Sequence, residues 1–476
     1  MSRSALQWVL LTALLAGCGD DAASTVAEPA GPALAATPPS ESAPVAPEPP
    51  SDPAAQPVEQ QGDAAAVTGE SPGTAENGVT TGTTTGTPAL GAPSPGTGGE
   101  PTPADAPGAC TRLDRAPLEV MPERGAPGLA TEGSALWVAG YRFEAGRERV
   151  QVVRVSGGRA HVEGDRAVDP PLTQGRHAAP AVLHHDGRTV VAYTDGRGKL
   201  LVAALGGGAP TLVTQLADIR LSPTLAKVTG GYAVTFTDSN GPTPRAILVR
   251  LDSSLARVGE HVLHPDYMGG TAPFLVREPD GSARRVAFAD PRRGLSTLLL
   301  TSLGPDGVPH GDPVTVSVVS QLTDPARVVM AEAHSTERLH VGFTAVDARG
   351  ATAVGHLLSN GPSNPRPLIE NRGYGVLDLD ALGLPLGALF VVDSPLGAAD
   401  TSPRELVVRQ VSGQAFGAPL TIQSPDHTAR AGRLARLADG TVMVAYTGLR
   451  EIYVERLRCP EITAPASAAA AATAAP

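Results

Sequence analysis

The chain has 476 residues, only 3% of them aromatic, and a formal net charge of −11. The surplus acid is confined to one stretch: residues 19–109 hold twelve Asp and Glu and no Lys or Arg, so the chain beyond residue 109 is electrically balanced. A balanced domain with no basic stripe excludes nucleic acid as a natural partner, because binding a phosphate backbone needs clustered Lys and Arg.

The first residues, Met1-Ser2-Arg3, are followed by a mostly apolar run from Ala5 to Ala16. That is the layout of a signal peptide, with a positive start and an apolar stretch too short to span a bilayer comfortably. The run ends in Leu15-Ala16-Gly17-Cys18. This stretch resembles the bacterial lipobox. The resemblance implies cleavage after residue 17 and diacylglycerol on the Cys18 thiol. Acylation of the new amine would follow, and two or three acyl chains hold a protein where one binds only marginally. In some bacteria an Asp directly after the lipidated Cys retains the protein in the inner membrane. Here that residue is Gly19, with Asp20 and Asp21 beyond it, which favours the outer membrane. An ordinary secretory signal with a chance cysteine is the competing reading.

Residues 18–109 form the expected tether. Segments such as "PSESAPVAPEPPSDPAAQP" and "VTTGTTTGTPALGAPSPGTGG" have no aromatic residue and no apolar periodicity. They bury too little surface to offset their chain entropy, which predicts disorder. As a flexible coil the segment reaches about 50 Å, and several times that if its Pro-rich half is extended. A spacer that lifts a domain off a membrane is the plain reading; threading a peptidoglycan mesh or carrying O-glycans on Thr is the sharper one. A similar low-complexity tail is expected over 461–476.

From residue 110 short β-type runs appear, bounded by Gly, Pro, Asp and Asn. "PAVLHHDGRTVVAYTD" from Pro180, "PTLAKVTGGYAVTFTD" from Pro223 and "PFLVREPDGSARRVAFAD" from Pro273 share one pattern. Each has a proline, an apolar strand, a turn, then a strand that ends in an aromatic residue, one small residue and Asp. Weaker copies begin at Pro127, Pro325, Leu377 and Gly432. The marker aromatics are Tyr141, Tyr193, Phe236, Phe288, Phe343, Phe390 and Tyr446, spaced 43 to 56 residues apart. Seven copies at that period predict an all-β protein, a β-propeller of seven four-stranded blades over residues 110–460. Third and fourth strands are readable in "AILVRLDSSLARVGEHVL" and "ELVVRQVSGQAFGAPLTI".

Cys110 precedes the first copy and Cys459 ends the last. In a closed ring these ends meet, so a Cys110–Cys459 disulfide is expected in an exported chain, against two free or intermolecular thiols. Residues 110–460 resemble the group of bacterial exported propellers with degenerate repeats of ~50 residues, many of them lipoproteins. The motifs are loose enough to leave six or eight blades open.

Sialidases are the natural catalytic comparison, with three arginines, a Tyr–Glu pair and an acid/base Asp. Their Asp-box is absent; "TEGSALW", Thr131 to Trp137, has Glu for Asp and the wrong spacing. Tyr141, Tyr193 and Tyr446 hold the marker position and read as core. Arg154, Arg250, Arg409 and Arg456 recur on third strands. The first three are the ligand-binding candidates, for an anionic sugar; the competing reading is arginines on outer strands with packed stems and solvated heads. Asp195, Asp238, Asp290 and Asp393 end second strands, where Asp caps turns. His184-His185-Asp186, with His177 nearby, sits at a hairpin turn, where neighbouring side chains point apart and do not suit one metal. "GPDGVPHGD" from Gly304 lacks the alternating carboxylates of a calcium loop. No P-loop, His-Glu-x-x-His or Gly-x-Ser-x-Gly occurs. No cofactor and no catalytic residues are therefore expected.

The sequence thus predicts a monomeric, lipid-anchored envelope protein that displays a non-catalytic propeller to protein or glycan partners. The alternative is an envelope glycosidase or lyase acting on anionic or cell-wall sugars. Fold does not decide between them.

Overall fold

The computed structural model describes residues 108–462, apart from 123–124, 173–177, 242, 265–271, 279, 293–294, 321–326, 347–351, 360–365, 370–377, 397–402 and 450. The expected signal peptide, Cys18, the tether to residue 107, the tail from residue 463 and His177 lie outside them.

Seven antiparallel sheets follow one another along the chain, and no helix occurs among the described residues. Blade 1 comprises Gly128–Glu132, Ala135–Glu144, Arg147–Ser156 and Arg159–Val168. Blade 2 comprises Ala181–His185, Arg188–Thr194, Leu200–Ala204 and Thr211–Thr214. Blade 3 comprises Thr224–Val228, Gly231–Asp238, Arg245–Asp252 and Arg257–His264. Blade 4 comprises Phe274–Arg277, Ala283–Arg292, Leu295–Leu303 and Pro309–Ser320. Blade 5 comprises Val328–Ala333, Arg338–Val346, Thr352–Leu358 and the short Arg366–Pro367. Blade 6 comprises Asp378–Leu384, Gly387–Pro395 and Arg404–Ser412, with an outer edge in two pieces, Ala415–Phe416 and Leu420–Ile422. Blade 7 takes Arg430–Arg436, Val442–Thr447 and Glu451–Arg458 from the end of the chain and Thr111–Pro122 from its beginning.

That last pairing closes the ring. Thr111 lies opposite Arg458, and the register runs on to Leu118 opposite Ile452. Cys110 and Cys459 form the disulfide just outside this pair. The sequence pattern places Cys110 ahead of the first blade and does not assign residues 111–122 to the last one. The strand interleaves Arg112, Asp114, Arg115 and Glu119 with its apolar residues and has no aromatic, so it lacks the repeat's pattern.

Packing explains why the aromatic recurs. The first strands of adjacent blades contact one another around a complete circuit, blade 7 against blade 1 included. Seven hydrophobic clusters fill the seven interfaces between adjacent blades. A second strand is covered on both faces, and most of its residues read as a continuous buried run, as in Thr189–Thr194 and Val442–Thr447. All seven marker aromatics sit on second strands and are at most 2% exposed. Each contributes roughly 1.5–3 kcal/mol by leaving water. Turn chemistry sets the hairpins: Asp186 and Gly187 both have positive φ in a two-residue loop, which matches the twist of the strands they join.

Candidate functional site

The first strands of all seven blades surround an axial cavity of about 760 Å³. Most of its wall is apolar, from residues such as Leu129, Phe274 and Leu382. Charged side chains converge where blades 4 to 7 face the axis. Asp378 opens the first strand of blade 6, and its Oδ2 lies 2.9 Å from Arg433 Nη1 in blade 7. Its Oδ1 lies 3.6 Å from Arg327 Nε, just before blade 5. Burial opposes ionisation of Asp378, but Arg433 and Arg327 outweigh it and hold the carboxyl below its ordinary range. Asp380, two residues on, faces the same cavity. Its Oδ2 accepts the Leu434 N–H at 2.8 Å. Burial raises its pKa, against the opposing pull of Arg433. The two carboxyls differ because Asp378 pairs with Arg433 and Arg327, whereas Asp380 has no ion pair among the described residues.

Arg277 ends the first strand of blade 4 and also lines the cavity. Its Nη1 donates to the Leu129 carbonyl at 2.9 Å, in the first strand of blade 1. Burial lowers its pKa, with Asp380 acting in the opposite sense. Arginine remains cationic through any such shift.

A second charged set lines the cavity where the first strands end. His184 stacks on Trp137 with ring centroids 3.8 Å apart. Its Nε2 lies 3.2 Å from Glu132. His185 Nδ1 approaches the same Glu132 at 4.0 Å, so these neighbours share a carboxylate partner where the hairpin pattern has them diverge. Burial lowers the His184 pKa, Glu132 opposing. Among the described residues, no group of three or more His, Cys, Asp or Glu is placed to hold a metal ion.

The three ligand-binding candidates from the sequence are not brought together. Arg154 lies over the Trp137 ring, 5.4 Å from its centroid, in blade 1. Arg250, in blade 3, is 3.7 Å from Asp306 in the outer hairpin of blade 4. Arg409, in blade 6, donates to the Gly417 and Leu368 carbonyls at 2.9 and 2.8 Å and covers Phe416. All three are on third strands, and none lines the axial cavity. Arg456 pairs with Asp114 of the closing strand. Asp195 and Asp238 cap turns: Asp195 accepts from Arg197 and Lys199, and Asp238 from Asn240. Asp393 instead forms a two-point bridge to Arg404 and accepts the Ala431 N–H; burial raises its pKa to about 6, Arg404 opposing.

Arg277, Arg327, Asp378, Asp380 and Arg433 are not among the candidates that the sequence singled out. The signal was available in the repeat itself. The first strands of blades 1 and 2 begin "GLA" and "AVL", whereas blades 4 and 6 read "FLVR" and "DLDALGL". A charge inside the innermost strand has nowhere to point but the axis or a blade interface.

No protein-family model matches the sequence, and no curated protein does. Among solved structures the chain is similar to AofleA from Arthrobotrys oligospora, at 12% identity and a TM-score of 0.40, covering 65% of this chain and 91% of that one. It is similar to a thermostable family-43 glycoside hydrolase at 12% identity and a TM-score of 0.34, covering 63% and 97%. It is also similar to a lectin from Aleuria aurantia at 12% identity and a TM-score of 0.35, covering 59% and 94%.

Proposed function

We propose that this is a lipid-anchored envelope protein whose propeller is a non-catalytic binding module, taking its ligand in the axial cavity. The observation that carries the reading is the convergence of Arg277, Arg327, Arg433, Asp378 and Asp380 on a cavity of about 760 Å³, within the range of small-ligand sites. The lipobox at Cys18 and the tether supply the anchor and the reach. Hydrolysis is the weaker reading. Asp393 has the raised carboxyl pKa that an acid catalyst needs, but Arg404 holds both its oxygens and it does not line the cavity.

Trp137 reports on the site, because it stacks on a wall residue and is the only tryptophan once residues 1–17 are removed. The test is a titration of the full chain with a panel of neutral, acidic and amino sugars, following Trp137 emission and analysing the solution for products. A saturable change without products is expected. Release of products would assign a hydrolase or lyase instead, and silence across the panel would remove the cavity as a binding site.

A further inference from the structure

The bond from Arg277 to Leu129 joins blade 4 to blade 1. In a closed ring of seven these blades stand on opposite sides, so the guanidinium extends across the axis and does not lie along the wall. The Leu129 carbonyl is its one close partner among the described residues, and Asp380 acts on it only from longer range. Arg327 and Arg433 differ, since both reach Asp378. A cation held in a partly desolvated channel without a counter-ion is unfavourable, and a bound anion relieves it.

Resting on the cavity-binding reading, we infer that the ligand carries a carboxylate that seats on the Nε/Nη2 edge of Arg277, with a neighbouring hydroxyl donating to Asp380. Nη1 is occupied by Leu129, so the open side of the guanidinium offers two parallel N–H donors, which match a carboxylate bidentately. Asp380 accepts the Leu434 N–H and is also bonded by the Ala381 N–H, but a carboxylate has about four acceptor positions, so it keeps capacity for a hydroxyl beside the cavity. A doubly charged phosphate fits less well. It would meet Asp378 and Asp380 on one side, and Glu132, Glu278 and Glu332 where the first strands end. Acidic sugars have this chemistry, as a free uronate or as a residue of a glycan chain.

The experiment is calorimetric titration of the full chain with glucuronate, galacturonate, glucose, inorganic phosphate and an oligogalacturonide. It is run on the unaltered protein, Arg277→Met and Arg277→Lys, with melting temperatures recorded for all three. The uronates are expected to bind about ten- to a hundredfold more tightly than glucose, the value of one charge-assisted bidentate contact. Arg277→Met should bring uronates down to the glucose level. Arg277→Lys should fall between the two, since it keeps the charge and loses the fork. If Arg277→Met melts early, the Lys variant at an unchanged melting temperature decides the matter. Tighter oligogalacturonide binding would identify the glycan as the source, and equal binding the free acid; both support the assignment. Glucose binding as well as glucuronate, phosphate displacing uronate, or Arg277→Met keeping the uronate preference would overturn it. Saturable glucose binding that ignores Arg277 would defeat the carboxylate assignment and leave the cavity-binding reading standing, whereas no binding by any probe would defeat both.

Discussion

Reducing the Cys110–Cys459 bond should lower stability by an amount set by the topology. The bond joins residues 349 apart in sequence, and it acts mainly by restricting the unfolded chain. In the folded ring the two ends are already brought together by the pairing of Thr111 with Arg458, so reduction removes no strand contact. The loop-entropy relation gives about 6 kcal/mol for a loop of this length, as an upper value. A domain of this size has an unfolding entropy of about 0.7 kcal/mol per degree, so the melting temperature should fall by up to about 8 °C. The assay is a thermal melt of the protein with and without reductant, alongside a Cys110→Ser/Cys459→Ser double variant that should match the reduced form. Oxidised and reduced melting temperatures within about 1 °C of each other would refute the reasoning, because the unfolded chain would then gain nothing from being opened.

Buried groups and the N-terminus give further expected outcomes. His340 and His356 lie in blade 5 with Nδ1 and Nε2 3.2 Å apart, and burial pushes their pKa values down to about 4 and about 3. The unfolded rings take up protons from about pH 6.5 downwards and the folded ones only near 4 and 3, so this contribution is complete above pH 6.5 and is lost as pH falls to about 4 and below. It amounts to at most about 3 kcal/mol for His340 and about 5 kcal/mol for His356, and a His340→Leu/His356→Leu variant should show a flatter loss of stability on acidification in denaturant titrations. Arg404→Met strands Asp393, only 2% exposed, without its cation; a loss of about 3–5 kcal/mol at neutral pH is expected, largely restored by adding Asp393→Asn. A Cys18→Ser substitution should move the protein from the membrane fraction to the soluble one, and continued membrane association would contradict lipidation at that residue.

The fold was readable because each blade repeats one physical requirement. A second strand sandwiched between two neighbouring blades is buried along most of its length and carries a large aromatic at one register, and Tyr141 through Tyr446 mark it in every copy. The disulfide was readable because a closed ring forces its ends together. The closing strand was not, since Thr111–Pro122 reaches the last blade by long-range pairing and its residues answer to edge exposure and to ion pairs with Glu455 and Arg456. The candidate arginines lie away from the axial cavity for a related reason. Arginines on third strands recur and so attract notice, but each has its own local contact: Arg154 and Arg409 cover Trp137 and Phe416, and Arg250 and Arg456 face Asp306 and Asp114. The residues that distinguish the cavity, Arg277 and Asp380 above all, are the ones that break the repeat.

The most direct test of the axial cavity as the binding site is hydrogen–deuterium exchange of the full chain with and without saturating glucuronate. The account predicts added protection in the first strands that carry Leu129, Arg277, Asp380 and Leu434. Protection confined to the third and fourth strands around Arg154, Arg250 and Arg409, with the first strands unchanged, would contradict it.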